Sequence, residues 1–149
     1  MSDGISIKTA GEIELMREAC RVTAMILDEV GEIIRPGMST EEINAFVHRR
    51  TIEMGATPSP LNYKGFPKSV CVSPNDVICH GIPAPFVILK EGDIVNVDVT
   101  SYKHGFHGDS SRMYFVGGEA ACSEEARELV EVSRKALFAG IKEIGRAHF

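Results

Sequence analysis

Apolar residues recur at helical spacing through the first third of the chain. Behind Thr9-Ala-Gly-Glu12, where a Thr and a Glu stand three apart as in a capping box, Ile13, Met16, Cys20, Leu27, Val30 and Ile34 line one face until Arg35-Pro36-Gly37 stops the run. A second box, Ser39-Thr-Glu-Glu42, precedes Ile43, Phe46, Val47 and Met54, and Gly55 stands where a C-terminal stop belongs. The pattern predicts a helical hairpin. Met16, Cys20 and Met25 are explained by a core face rather than a cofactor stripe, because thioethers and thiols pack as adaptable apolar groups.

The period then changes. Pro58, Pro60, Gly65 and Pro67 punctuate the next segment, and β-rich runs follow at residues 69–73, 77–80, 94–102 and 106–116. From Ser123 a third helical pattern carries Leu129, Val130, Val132, Leu137, Ile141 and Ile144. Helix, helix, strands, helix, with no internal repeat, is an α+β order.

Along residues 94–102, Val95, Val97 and Val99 form an apolar row, and Asn96, Asp98 and Thr100 a polar row on the reverse face. Asp98 and Asp109 are symmetric about the midpoint between Lys103 and His104. A hairpin with a two- or four-residue loop therefore predicts them as direct cross-strand partners on one face. A three-residue loop using Gly105 would shift the pairing and send them to opposite faces. Carboxylates opposed across a strand pair, with Cβ atoms about 4.5–5.5 Å apart, repel each other and call for a cation or a shared proton. A lone aspartate here would read as part of a solvated polar row; the second makes a divalent metal the simplest fit.

A chain of 149 residues with 44% hydrophobic content supports one domain, taken as residues 1–149. The net charge of -5 comes without a basic cluster, which argues against nucleic acid as a direct ligand. The opening Met-Ser-Asp-Gly-Ile-Ser-Ile-Lys lacks the apolar core of a signal peptide and no stretch is long enough to span a bilayer, so a cytoplasmic location is expected. Cys20, Cys71, Cys79 and Cys122 form no Cys-x-x-Cys pair; they read as reduced thiols in or near the core, not as a zinc knuckle or disulfide framework.

Four linked runs carry a resemblance: Gly65-Phe-Pro-Lys-Ser-Val-Cys-Val-Ser73, Asn75-Asp-Val-Ile-Cys-His-Gly-Ile-Pro83, Gly92-Asp-Ile-Val-Asn-Val-Asp-Val-Thr100 and Gly105-Phe-His-Gly-Asp-Ser-Ser111. In this order they resemble the N-terminal part of the catalytic domain of bacterial-type methionine aminopeptidases, from about Ile5 to the end of the chain. The resemblance implies the pita-bread fold, two α+β halves around a curved antiparallel sheet with flanking helices. It implies two divalent metal ions (Co, Mn, Fe or Zn), with Asp98 chelating one and Asp109 bridging both, and a metal-activated water that attacks the scissile carbonyl. It casts His80 as the catalytic histidine that contacts substrate, and Tyr63, Phe66 and Cys71 as the lining of the methionine side-chain pocket.

The implied function is removal of the initiator methionine from nascent proteins whose second residue is small, in the cytosol and near the ribosome. The chain departs from the family at Lys64, where many members have histidine, at Phe66, where tyrosine is common, and at Pro60, where cysteine often occurs. A ligand histidine, a second catalytic histidine and two ligand glutamates of the family's later motifs have no counterpart, so a partial catalytic domain with little activity is expected. Its uncovered apolar surface predicts self-association. Two aspartates are few donors for a tight site. His107 falls within reach of the Asp109 face as a candidate third, whereas His104 sits in the turn. Two other functions fit the same fold: a metal-free binding module and a proline-directed peptidase.

Overall fold

The computed structural model describes residues 6–145. Helices α1 (Ala10–Ile33) and α2 (Thr40–Glu53) lead into strands β1 (Thr57–Pro58), β2 (Cys71–Pro74), β3 (Ile94–Lys103) and β4 (Phe106–Phe115), and α3 (Glu124–Glu143) follows. The order is the expected α+β one. The absence of a signal peptide was read largely from residues 1–5, which lie outside the described residues. Among the described residues no helix is long and apolar enough to cross a membrane.

Both capping boxes form. The Thr9 and Ser39 hydroxyls accept the backbone N–H of Glu12 and Glu42, and those glutamates accept the cap N–H groups in return. Gly55, at φ 67°, ends α2 as expected. Arg50 forks onto both oxygens of Glu29 at 2.6 and 2.7 Å and ties α2 to α1.

All four strands pair antiparallel, with β1 and β2 along one edge of β3 and β4 along the other. Val95, Val97 and Val99 are fully buried, as the alternation predicts, against Val22, Ile26, Leu27 and Val30 of α1 and Ile43 and Val47 of α2. Helix α1 lies directly on β4: the Thr23 hydroxyl donates to the Gly108 carbonyl at 2.8 Å, and the Tyr114 hydroxyl donates to the Leu27 carbonyl. A Cβ at Gly108 would sit 2.3 Å from the Ala19 carbonyl oxygen, so only glycine admits this approach.

That contact corrects the expected face of α1. The buried stripe is Ala19, Val22, Thr23, Ile26, Leu27 and Val30; Ile13, Cys20 and Met25 are exposed and Met16 is only half-buried. Small Ala19 and hydrogen-bonded Thr23 make the closest approach, which turns the sulfur-bearing positions outward. The thiol expectation divides accordingly: all four cysteines are free, Cys71 and Cys122 buried, Cys20 and Cys79 exposed.

Residues 77–80 are not a strand. After β2 the chain turns at Asn75, whose side chain donates to Asp93 at 3.0 Å and accepts from the Ile94 amide at 3.1 Å, and the Val77 N–H closes a turn onto the Pro74 carbonyl. Strand β2 begins at Cys71 because the Ser69 amide is spent on the Asn44 side chain of α2. Helix α3 starts at its Ser123 cap as expected but buries no residue; Leu129, Leu137, Phe138 and Ile141 are exposed.

On the core face, Ser101 is fully buried and its hydroxyl has no partner among the described residues. An unpaired buried hydroxyl costs about 1–3 kcal/mol, so Ser101→Ala is expected to raise the urea-unfolding free energy by about 1 kcal/mol. A fall would reveal a partner for the hydroxyl, such as a buried water.

Candidate functional site

The hairpin that carries the carboxylates turns at His104 and Gly105, with φ of 54° and 87°, the two left-handed residues a tight two-residue loop requires. The turn centre therefore lies one residue later than expected. Asp98 pairs with Ser111, and Asp109 with Thr100. The two aspartates are diagonal neighbours rather than direct partners, but they remain on one face, because a two-residue change in partner preserves the alternation.

That face forms one side of an open cleft of about 590 Å³. Asp98 and Thr100 reach it from β3, and His107 and Asp109 from β4. Beside it stands apolar lining: Pro60, Tyr63 and Phe66 come from the segment after β1, and Cys71 comes from β2, where it pairs directly with Asp98 and shares its face. The wall segment is held by the Ser59 amide on the Thr100 carbonyl at 2.9 Å and the Asn62 amide on the Phe66 carbonyl at 2.8 Å. Lys64 places its ammonium 5.5 Å from the centre of the Tyr63 ring. His80 closes the cleft from the loop after β2, in a left-handed conformation at φ 54°, anchored next door by the Val72 amide on the Gly81 carbonyl and the Gly81 amide on the Ser73 hydroxyl.

Half-burial pushes the Asp98 carboxyl above its ordinary value of 3.8, and the charge of Asp109 and a hydrogen bond with it push further, while His80 offsets part of this. Asp98 thus holds a proton more readily than an ordinary aspartate does. The Thr100 hydroxyl donates to Asp109 Oδ1 at 2.9 Å. Burial, with Asp98 next to it, lifts the Cys71 thiol to about 11, so it stays protonated at neutral pH and serves as lining rather than nucleophile.

His107 does share the Asp109 face, but it is engaged otherwise. Its Nδ1 pairs with the Ser59 hydroxyl at 2.8 Å and its ring lies 4.8 Å from that of Tyr102. No set of three His, Cys, Asp or Glu among the described residues could hold a metal ion, so the self-contained site on Asp98, Asp109 and His107 is not formed. His104 is exposed in the turn as expected, 3.0 Å from Glu18 of α1. Ser59 was not marked by the sequence, because only the fold brings it to the hairpin. Thr100 was visible as the third member of the polar row.

The donor chemistry fits a divalent cation in part: two facing oxygen ligands whose mutual repulsion a cation removes, with further donors still required. The pair also predicts a pH effect. A carboxyl with a raised folded value takes up its proton earlier in the folded than in the unfolded chain, so stability falls as pH rises from about 3.8 through the raised value and is flat above it. Asp98→Asn is expected to remove this decline and to raise the metal-free melting temperature at pH 7. A lower melting temperature at pH 7 would contradict it.

A family model described as metallopeptidase family M24 matches residues 14–147. Methionine aminopeptidase A of Synechocystis is 44% identical over 144 residues, which cover 97% of this chain and 56% of that protein. The crystal structure of methionine aminopeptidase from Rickettsia prowazekii superimposes with a TM-score of 0.88 at 42% identity, over 93% of this chain and 54% of that one. The prolidase from Pyrococcus furiosus, at 24% identity and a TM-score of 0.72 over 87% of this chain and 36% of that one, shares the fold. The chain spans between 32% and 56% of the length of the curated relatives it matches. These likenesses bear out the pita-bread architecture and the four-motif resemblance, and since the family match runs through both carboxylate-bearing strands and nearly all the rest, the chain belongs to metallopeptidase family M24.

Proposed function

We propose that this chain carries the aspartate-bearing part of a methionine aminopeptidase that removes the initiator methionine from nascent proteins with a small second residue. The observation that carries this reading is the placement of Asp98 and Asp109 on one cleft face, beside an apolar wall of Tyr63, Phe66 and Cys71. Asp98 and Asp109 would hold two divalent cations, Co, Mn, Fe or Zn, completed by donors beyond this pair. Such ions polarise a carbonyl and make water acidic enough to act as nucleophile near pH 7. His80 contacts the substrate close to the scissile bond, and the apolar wall receives the flexible thioether. Phe66 adds no hydroxyl to that wall. The site of action is the cytosol, on polypeptide N-termini emerging from the ribosome.

A binding module has no physical need of two like charges on one half-buried face, which disfavours that alternative. A proline-directed peptidase shares only the fold at the lower similarity of the prolidase. The test offers Met-Ala-Ser to the metal-stripped chain titrated with Mn²⁺, Fe²⁺ and Co²⁺, with Asp109→Asn as control, and follows the amide signals of Tyr63, Phe66 and Cys71 as methionine or proline is added. Shifts at this wall with methionine alone support the reading, little turnover being expected while the described residues supply only two ligands. Shifts with proline alone, or with neither, would displace it.

A further inference from the structure

We propose that Thr100 is a positioning residue for the metal carboxylates. It stands directly opposite Asp109 in the ladder, half-buried on the cleft face, and its hydroxyl donates to Asp109 Oδ1 at 2.9 Å. One oxygen of Asp109 is therefore fixed by Thr100, on the face that Asp109 shares with Asp98, where a shared cation would sit. Without the hydroxyl, an exposed aspartate on a strand regains its rotamer freedom and must give it up again when the cation binds.

The backbone of Thr100 is fixed too, because its carbonyl accepts the Ser59 amide at 2.9 Å, and Ser59 in turn holds His107, two residues before Asp109 on the same face. The hydroxyl thus projects from a point of β3 pinned by Ser59, just after β1, and by β4. Outer partners of metal ligands commonly contribute about 10–100-fold in affinity through such orientation. A bland alternative is that Thr100 and Asp109 are merely a stabilising cross-strand pair, which would show in the melting temperature and not in metal affinity.

This inference rests on the metal reading of Asp98 and Asp109, and one titration separates the two. Mn²⁺ is added to the isotope-labelled chain and to Thr100→Val, Thr100→Ser and Asp109→Asn, following paramagnetic broadening of the amides around 98 and 109 and the metal-free melting temperatures. Thr100→Val keeps the branched shape and loses the donor; it is expected to weaken Mn²⁺ binding at least about tenfold without melting below Thr100→Ser. Thr100→Ser is expected to bind nearly as the wild type does. If Thr100→Val binds Mn²⁺ like the wild type while Asp109→Asn does not, the role of Thr100 is overturned and the metal reading stands. If the wild type shows no local broadening, or Asp109→Asn broadens equally, the metal reading fails and this inference with it.

Discussion

Asp109→Asn is expected to abolish saturable Mn²⁺ binding at the cleft and, at the same time, to raise the melting temperature of the metal-free chain. Asparagine keeps the shape of the side chain and can still accept the Thr100 hydroxyl, so the change isolates the charge. Loss of outer partners alone commonly weakens a metal site about 10–100-fold, so loss of a ligand charge from a pair should cost at least about 100-fold. The stability gain follows from the electrostatics of the pair: the Asp109 charge helps push the Asp98 carboxyl upward, and neutralising it relieves a cost that the metal-free protein bears at neutral pH. The two effects together produce a crossover. At a Mn²⁺ concentration 100 times its dissociation constant, the wild type gains about 2.7 kcal/mol by mass action and the variant at most about 0.4 kcal/mol. Thermal melts with and without Mn²⁺ read both quantities. A variant stabilised by Mn²⁺ as much as the wild type would show that the ion is held elsewhere.

Gly108→Ala is expected to cost at least about 3 kcal/mol, at or beyond the upper end of ordinary overpacking, because the atoms in the way are backbone and cannot rotate aside. The added Cβ would meet the Ala19 carbonyl oxygen at 2.3 Å, its carbon at 2.5 Å and the Cys20 nitrogen at 2.6 Å. Either α1 lifts off the sheet, opening the valine core beneath it, or β4 shifts and takes Asp109 with it. Against a typical stability of about 5–15 kcal/mol this is a large fraction. Gly140→Ala is the contrasting case: nothing lies within 4 Å of its Cβ position in α3, and the change should add about 0.5–1 kcal/mol of helix stability. Chemical denaturation of the two variants tests the pair. A Gly108→Ala protein as stable as the wild type would mean that α1 does not rest on β4 as described.

Much of this architecture is written locally in the chain. The capping boxes at Thr9 and Ser39, the stop at Gly55 and the valine row of β3 are short-range signals, and each appears where the sequence puts it. What the sequence leaves open depends on distant partners. The contact face of α1 is decided by Gly108, 85 residues from Thr23, which favours a small and a polar residue over Cys20 and Met25. The register of the hairpin depends on whether His104 accepts a positive φ, a tolerance its residue type permits but does not announce. Residues 77–80 have the composition of a strand, but the Asn75 and Pro74 turn contacts take the chain out of the ladder. For the site, the facing aspartates were legible as a pair of like charges on one face. The wall residues and His80 were legible only through the motifs around them, since each alone is ordinary lining. Ser59 had no local mark at all.

The most direct measurement is the anomalous difference map of a crystal soaked in Mn²⁺, collected at the manganese edge. A peak between the carboxylates of Asp98 and Asp109, absent from Asp109→Asn crystals, is the predicted result. A peak bound elsewhere on the chain, or none despite an ordered cleft, would contradict the assignment of this face as a metal-binding half-site.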